Sequence, residues 1–304
     1  MSDYRLAIPA RDGLIRVEGA DATAFLQGQL SNDVAAVSET RGQPSSLNSP
    51  KGRVLAVLRV SRDTDGYWLA MPHSVISDVL PRLKRYVLRS RVSLDDATLG
   101  FKHLGLWGTG AEHRLQRLGL AAAAEDWATV RSHAGMAMRL PGAEPRFELW
   151  VPATQFAAFF REYFEDCEPL GLDAWTRREI AAGFPNIFPA TQERFVAQTL
   201  GLDALGAINY RKGCYTGQEV IARSHYLGKL KRALYRLTLE RGEVPAPGTE
   251  ILDAEGASAG RLVAAAADDA GVAALAVLKT PPPDGLRVAD LAIRHAEPAH
   301  PEGD

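Results

Sequence analysis

The sequence predicts a mixed α+β protein that ends in a small antiparallel β-barrel. Up to about residue 230, helical apolar spacing alternates with short apolar runs of strand type. From about Lys231 the texture changes, and Ala233, Tyr235, Leu237 and Leu239 alternate with mostly polar neighbours. The short runs that follow are separated by Pro245-Ala-Pro-Gly248, Asp253-Ala-Glu-Gly256, Asp268-Asp-Ala-Gly271 and Pro281-Pro-Pro-Asp-Gly285. Even spacing with turn chemistry reads as a barrel. A length of 304 residues suggests about two domains, divided as 1–230 and 231–304.

Each element has its own signal. Leu14-Ile-Arg-Val17 is a short strand, and Asp21 is placed to cap a helix carrying Phe25, Leu26 and Leu30 on one face. Arg53 to Val60 is apolar on both faces, which predicts a central strand. Tyr67 to Ala70 is its hairpin partner across Asp63-Thr-Asp-Gly66. A helix starts at Ser74 with Ile76, Val79, Leu80, Leu83, Tyr86 and Val87 in helical register. Phe101–Trp107 is a strand, Ala111–Leu118 a short helix and Phe147–Val151 a strand. Thr154 opens a helix whose Phe156, Phe159, Phe160, Tyr163 and Phe164 form a stripe, expected to be core packing rather than a cofactor box. Asp173 caps a helix over Ala174–Ala182, stopped by Gly183-Phe-Pro185.

Composition excludes several classes. With 46% apolar and 24% charged residues the chain is ordinary globular material, and Lys plus Arg (35) nearly balances Asp plus Glu (37). A histone-like blanket of positive charge is excluded; a local basic patch is not. The two cysteines, Cys167 and Cys214, cannot form a disulfide framework. No signal peptide is visible, and the longest apolar stretch, Leu262–Leu278, is broken by Asp268 and Asp269. The expectation is a cytoplasmic protein without membrane contact.

The segment richest in chemistry is Arg211-Lys-Gly-Cys-Tyr-Thr-Gly-Gln-Glu219. Thr216-x-x-Glu219 reads as a capping box, which places Cys214 just before a helix N-terminus with Arg211 and Lys212 adjacent. Helix N-termini and cations favour thiolate. Cys214 is then either a reactive or ligating thiolate or a small buried cysteine beside an ordinary cap. Cys167 lies between Asp166 and Glu168, and those acids predict an inert thiol.

The run Lys212-Gly-Cys-Tyr-Thr-Gly-Gln-Glu219, continuing to Ala222-Arg223 and Gly228-Lys-Leu-Lys-Arg232, closely resembles the signature of YgfZ-type folate-binding proteins. These are relatives of the glycine-cleavage T-protein, an aminomethyltransferase. Gly19-Ala-Asp-Ala, Phe25-Leu-Gln-Gly-Gln-Leu-Ser-Asn-Asp-Val34, Pro50-Lys-Gly-Arg53, Ala181-Ala-Gly-Phe-Pro185 and Gly206-Ala-Ile-Asn209 extend the resemblance over most of the chain. The sequence departs from the family's Phe-x-Pro-Gln and Thr-Asn-Leu pattern at Phe195-Val-Ala-Gln198 and Thr199-Leu-Gly-Leu202.

The resemblance implies two α+β folate-binding subdomains followed by the barrel, arranged around a central cavity that holds tetrahydrofolate or a derivative. It also implies support of iron–sulfur cluster assembly or repair in client enzymes, among them radical enzymes that thiolate tRNA. Client enzymes or assembly proteins would then be partners, with tRNA a further candidate. Cys214, with Lys212, is the implied catalytic pair. Asn32, Asp33, Trp175, Glu179, Tyr215, Gln218 and Arg223 are the implied folate contacts.

On spacing alone, Trp175 and Glu179 share a helical face, suited to stacking on a pterin and accepting from its amino-pyrimidine edge. A core-edge Trp with a solvated Glu fits the spacing equally well. Asn32 and Asp33 are a cavity-lining turn or a plain turn pair. The rival functional reading is aminomethyl transfer. T-proteins carry acids on the strand after the Lys-Gly loop, whereas Gly52–Leu58 contains none. A third reading is tRNA binding or modification. It rests on Arg211–Arg236, where seven Lys or Arg face one acid, Glu219. The other basic span, Arg82, Lys84, Arg85, Arg89 and Arg91, is expected to be a solvated helix face.

Overall fold

The computed structural model describes residues 4–9, 11–121, 123–227 and 230–300. The chain forms two compact units, one from Met1–Gln27, Asp33–Pro44 and Leu58–Trp175, the other from Gly28–Asn32, Ser45–Val57 and Thr176–Asp304. In the first unit a five-stranded antiparallel sheet runs in the order Arg5–Ala7, Phe101–Trp107, Arg146–Pro152, Gly135–Leu140, Thr129–Ser132. A second five-stranded sheet has the order Gln43–Asn48, Val54–Arg62, Gly66–Pro72, Asp12–Glu18, Ser93–Asp96. The expected C-terminal barrel is present and closed. Its order is Arg232–Leu239, Gly271–Lys279, Ser258–Asp268, Glu250–Leu252, Arg287–Val288, Leu291–Pro298.

The predicted hairpin forms, with Arg59 opposite Ala70 and Arg62 opposite Tyr67. Its first strand is second from the sheet edge, however, and Gly66–Pro72 holds the middle place. Nor is that strand wholly apolar in its surroundings. Arg59 is buried between Asp12 (Nη2 to Oδ2, 2.5 Å) and Glu148 (Nε to Oε2, 2.7 Å), with Arg11 also on Asp12 at 2.9 Å. A guanidinium can serve two carboxylates at once, and only such satisfaction offsets the cost of burying these charges.

His103 packs against this cluster, stacked on Trp150 at 4.4 Å. Burial, reinforced by Arg59 and Arg11, pushes its pKa down to about 3, so it is neutral near pH 7. Burial would raise Asp12, but Arg11 and Arg59 outweigh it and hold the carboxyl far below the usual range.

The helices fall at His73–Arg85, Ala111–Arg117, Phe156–Phe164, Leu172–Ala181 and Gln218–Leu227, with Ala22–Gln29 near the N-terminus. The aromatic stripe is core: Phe159 and Phe164 are buried, and Phe156, Phe160 and Tyr163 pack against them together with Cys167. Three caps differ from expectation. The Asp21 carboxylate accepts from the Arg91 backbone N–H instead of its own helix. Gln155 occupies the N-cap position expected for Thr154. The next helix begins at Leu172, so Asp173 lies inside its first turn, where its charge suits the dipole.

Candidate functional site

The motif turn is pinned at both ends inside the second unit. Asn209 Oδ1 accepts from the backbone N–H groups of Arg211 (2.8 Å) and Lys212 (3.0 Å), an Asx turn that starts the loop. The Lys212 ammonium then donates to the carbonyls of Leu30 (2.7 Å) and Asn32 (2.8 Å). It also lies 5.3 Å from the Tyr215 ring centre. The segment Gly28–Asn32, which runs out of the helix Ala22–Gln29, is itself held firmly. Asn32 Nδ2 donates to Gly206 O at 2.8 Å, Ser31 Oγ donates to Ala207 O at 2.7 Å, and Ser31 Oγ accepts from the Ser46 backbone N–H at 2.8 Å.

The far end of the turn is closed by glycines. Gly52 and Gly217 have φ of +67° and +83°, and a Cβ on Gly217 would lie 2.5 Å from Ser49 O. Only glycine fits both the conformation and the contact, so Pro50–Arg53 packs directly against the motif. Gly213 differs, because a Cβ there would meet nothing.

The predicted capping box does not form. The helix begins at Gln218, and it is the Gln218 Oε1 that accepts from the Tyr215 N–H, at 3.3 Å. Cys214 therefore stands four residues ahead of the helix and is exposed. Its neighbour Lys212 is turned to the two carbonyls. Cys167 is half-buried, and burial with the Asp166 charge pushes its thiol pKa up.

Tyr215 is 7% exposed, and among the described residues its hydroxyl has no hydrogen-bond partner. Burial, with a contribution from Asp203, pushes its pKa up to about 12. Arg223 is exposed and Gln218 half-buried on the helix that follows. Gly228 and Lys229, the continuation of the motif, lie outside the described residues.

Trp175 and Glu179 lie one turn apart on Leu172–Ala181. Trp175 is 0% exposed. Its ring fills the space left by Gly105, where a Cβ would lie 2.2 Å away, and Arg146 sits 5.5 Å from its centre. Among the described residues the buried Trp175 Nε1–H has no partner.

Glu179 is 3% exposed and accepts from Asn186 Nδ2 at 2.9 Å, while Asn186 Oδ1 is buried with no partner among the described residues. This leaves an acceptor-rich buried pair in the second unit. Asn186 escaped the sequence reading, although it directly follows the Gly183-Phe-Pro185 landmark. In the first unit, Asp33 Oδ1 accepts from Gln27 Nε2 (2.8 Å) and caps a short turn through Ala35 N (3.1 Å).

Among the described residues both basic spans are partly engaged. Arg82 pairs with Asp78 at 2.9 Å, Lys84 with Asp95 at 3.8 Å and Arg91 with Asp21 at 3.4 Å, as a solvated helix face would. In the second span, Lys212 is engaged on carbonyls and Arg236 pairs with Glu297 at 3.0 Å.

No family model matches the chain. A tRNA-modifying protein YgfZ of Hamiltonella defensa subsp. Acyrthosiphon pisum is 32% identical over 240 residues, covering 79% of this chain and 71% of the relative. The chain belongs to the YgfZ family. A tRNA-modifying protein YgfZ of Escherichia coli (strain SMS-3-5 / SECEC) is similar at 30% identity over 241 residues, 78% of this chain and 73% of the relative. Among solved structures, the glycine cleavage system aminomethyltransferase T of Bartonella henselae matches with a TM-score of 0.77. It covers 97% of this chain and 86% of that one at 18% identity, so this YgfZ family member has the T-protein fold. Among the described residues, no helix is long and apolar enough to cross a membrane.

Proposed function

We propose that this chain binds tetrahydrofolate or a derivative and supports assembly or repair of iron–sulfur clusters in client enzymes through Cys214. The observation that carries this reading is the motif turn. Its backbone is fixed by Asn209, Lys212 and the Gly52–Gly217 contact, yet it presents an exposed thiol. A cluster usually takes four ligands, so one thiol acts here only with ligands from a partner. Lys212 is read as the residue that positions this turn. The curated relatives are named tRNA-modifying, and a client enzyme that thiolates tRNA would link that name to cluster maintenance.

The chemistry of the donor set supports the folate half. Glu179 and Asn186 offer buried acceptors of the kind an amino-pyrimidine edge needs, including Asn186 Oδ1, which has no partner among the described residues. Asn32, Asp33, Gln218 and Arg223 are the polar contacts of the proposal, and Tyr215 adds an unpartnered hydroxyl. Trp175 has no exposed ring face and would meet a ligand only through its unpartnered Nε1–H. When bound, the folate supplies one-carbon carrier chemistry, and the chain's own residues bind and orient it. Aminomethyl transfer is not proposed. The strand Val54–Arg62 carries no carboxylate, and its buried charge is Arg59.

The test is reactivation of an iron–sulfur enzyme in cells lacking this protein, complemented with wild type, Cys214→Ser or Cys167→Ser. Wild type and Cys167→Ser should restore activity and Cys214→Ser should not. Full restoration by Cys214→Ser would end the proposal.

A further inference from the structure

The second unit contains a recess that the folate reading does not use. It has a volume of about 210 Å³ and is lined by Arg53, Arg194, Arg232 and Arg261, with Ser258 and Thr199 among its polar groups. These arginines come from four separate stretches of sequence, and the fold brings them to one cavity. Each of three is aimed by one bond to a backbone carbonyl. Arg53 Nη1 donates to Arg194 O (3.3 Å), Arg232 Nη1 to Ala259 O (3.1 Å) and Arg261 Nη1 to Gly248 O (2.5 Å). A guanidinium has five N–H donors, so each is oriented with most of its fork unused. Among the described residues the Arg194 guanidinium has no partner at all.

The acid that reaches this cluster is Glu250, 3.8 Å from Arg261 and bonded to Ser258 Oγ at 2.5 Å. One carboxylate against four guanidiniums leaves a strong local excess of positive charge. Arg232 also stands opposite Lys279 in the barrel ladder. Like charges facing each other across strands are unfavourable, and a bound anion would relieve them.

We propose that this recess is a binding site for a phosphate group. Planar forks match phosphate oxygens bidentately, and four of them, three aimed by carbonyls and the fourth free to turn, suit a group with more than one negative charge. The cavity is smaller than the roughly 300–1,000 Å³ of ordinary small-molecule pockets. It therefore accepts a terminal phosphate or pyrophosphate, and a polymer can enter only by a phosphorylated end. The assignment does not rest on folate binding or on Cys214.

Calorimetric titration of the full-length protein with pyrophosphate tests it, beside a 5′-phosphorylated RNA tetranucleotide, the same RNA unphosphorylated, and tetra-γ-glutamate. Pyrophosphate should bind at sub-millimolar concentration. Arg194→Ala, which breaks no described contact, should weaken it at least tenfold, and Arg232→Lys should weaken it by a smaller factor. If the phosphorylated RNA binds in the same way and its unphosphorylated form does not, the source is an RNA end. If pyrophosphate alone binds, the source is a small phosphorylated molecule. Absence of pyrophosphate binding, indifference to Arg194→Ala in a protein with unchanged thermal stability, or tighter binding of tetra-γ-glutamate than of pyrophosphate would overturn the proposal.

Discussion

Replacing Lys212 by Met keeps the aliphatic stem and deletes the ammonium. In the structure that ammonium holds two backbone carbonyls, Leu30 O at 2.7 Å and Asn32 O at 2.8 Å. A hydrogen bond from a charged donor contributes about 1.5–3 kcal/mol. Lys212 is only half-buried, so water can reach part of what it leaves. We therefore expect a local loss of about 1–3 kcal/mol for the pair. Global unfolding is a poor readout in a chain with two units, where two-state behaviour is not assured. Amide hydrogen exchange reads local opening directly.

The informative amides are those of Asn209, Arg211, Lys212, Tyr215 and Thr216, which donate to Ser31 O, Asn209 Oδ1 (twice), Gln218 Oε1 and Gly28 O. At about 1.4 kcal/mol per tenfold, exchange across 209–218 should rise roughly 5- to 150-fold in Lys212→Met. Arg211→Met is the control, because the Arg211 side chain is exposed and has no partner among the described residues. Unchanged protection of 209–218, or an equal rise in both variants, would refute the claim that Lys212 pins the turn.

Other outcomes follow from the same geometry. Iodoacetamide should label Cys214 much faster than Cys167, since Cys214 is exposed and the Cys167 thiol is pushed up by burial and Asp166; peptide mapping would expose equal rates. The first unit should lose stability on acidification. His103, neutral in the fold with a pKa near 3, gains its proton on unfolding below about 6.5, and Asp12, held low, adds its loss below about 4. His103→Phe should flatten the slope of melting temperature between pH 4 and 6.5, and an unchanged slope would count against the buried neutral imidazole. Gly217→Ala should loosen the motif turn by about 1–3 kcal/mol, because it meets both a positive φ and Ser49 O; unchanged amide exchange at Tyr215 and Thr216 would show that the loop can shift.

What the sequence made legible depended on the range of the interactions involved. The barrel was readable because its turns declare themselves locally, at Asp253–Gly256 and Asp268–Gly271. The strand Gln43–Asn48 was not, since Pro-Ser-Ser lacks strand character. Those serines are buried because Ser31, well before them in the chain, accepts from the Ser46 N–H and shares a contact with Ser45 Oγ. Gly135–Leu140 carries two methionines in place of β-branched residues and was missed for that reason. The buried charge of Arg59 was not readable in the run Arg53–Val60, because its partners are 47 and 89 residues away.

At the candidate site, the cysteine motif and its glycines were plain, but the partners of Lys212 lie 182 and 180 residues away. The capping signal failed by competition. Gln218 reached the Tyr215 N–H and the helix started later than Thr216 suggested. The atypical Gly201 of the departing segment has a local reason after all, since it ends a short turn with φ of +68°.

The proposed folate site turns on the buried acceptor pair Glu179 and Asn186. Titration of tetrahydrofolate against intrinsic tryptophan fluorescence, in wild type, Glu179→Gln and Asn186→Leu, tests it most directly. Wild type should bind saturably. Glu179→Gln, which leaves one acceptor oxygen and adds an N–H donor toward Asn186, should weaken binding at least tenfold, in line with the roughly 1.5–3 kcal/mol of a charged hydrogen bond. Absence of saturable binding by correctly folded wild-type protein would rule out the folate site.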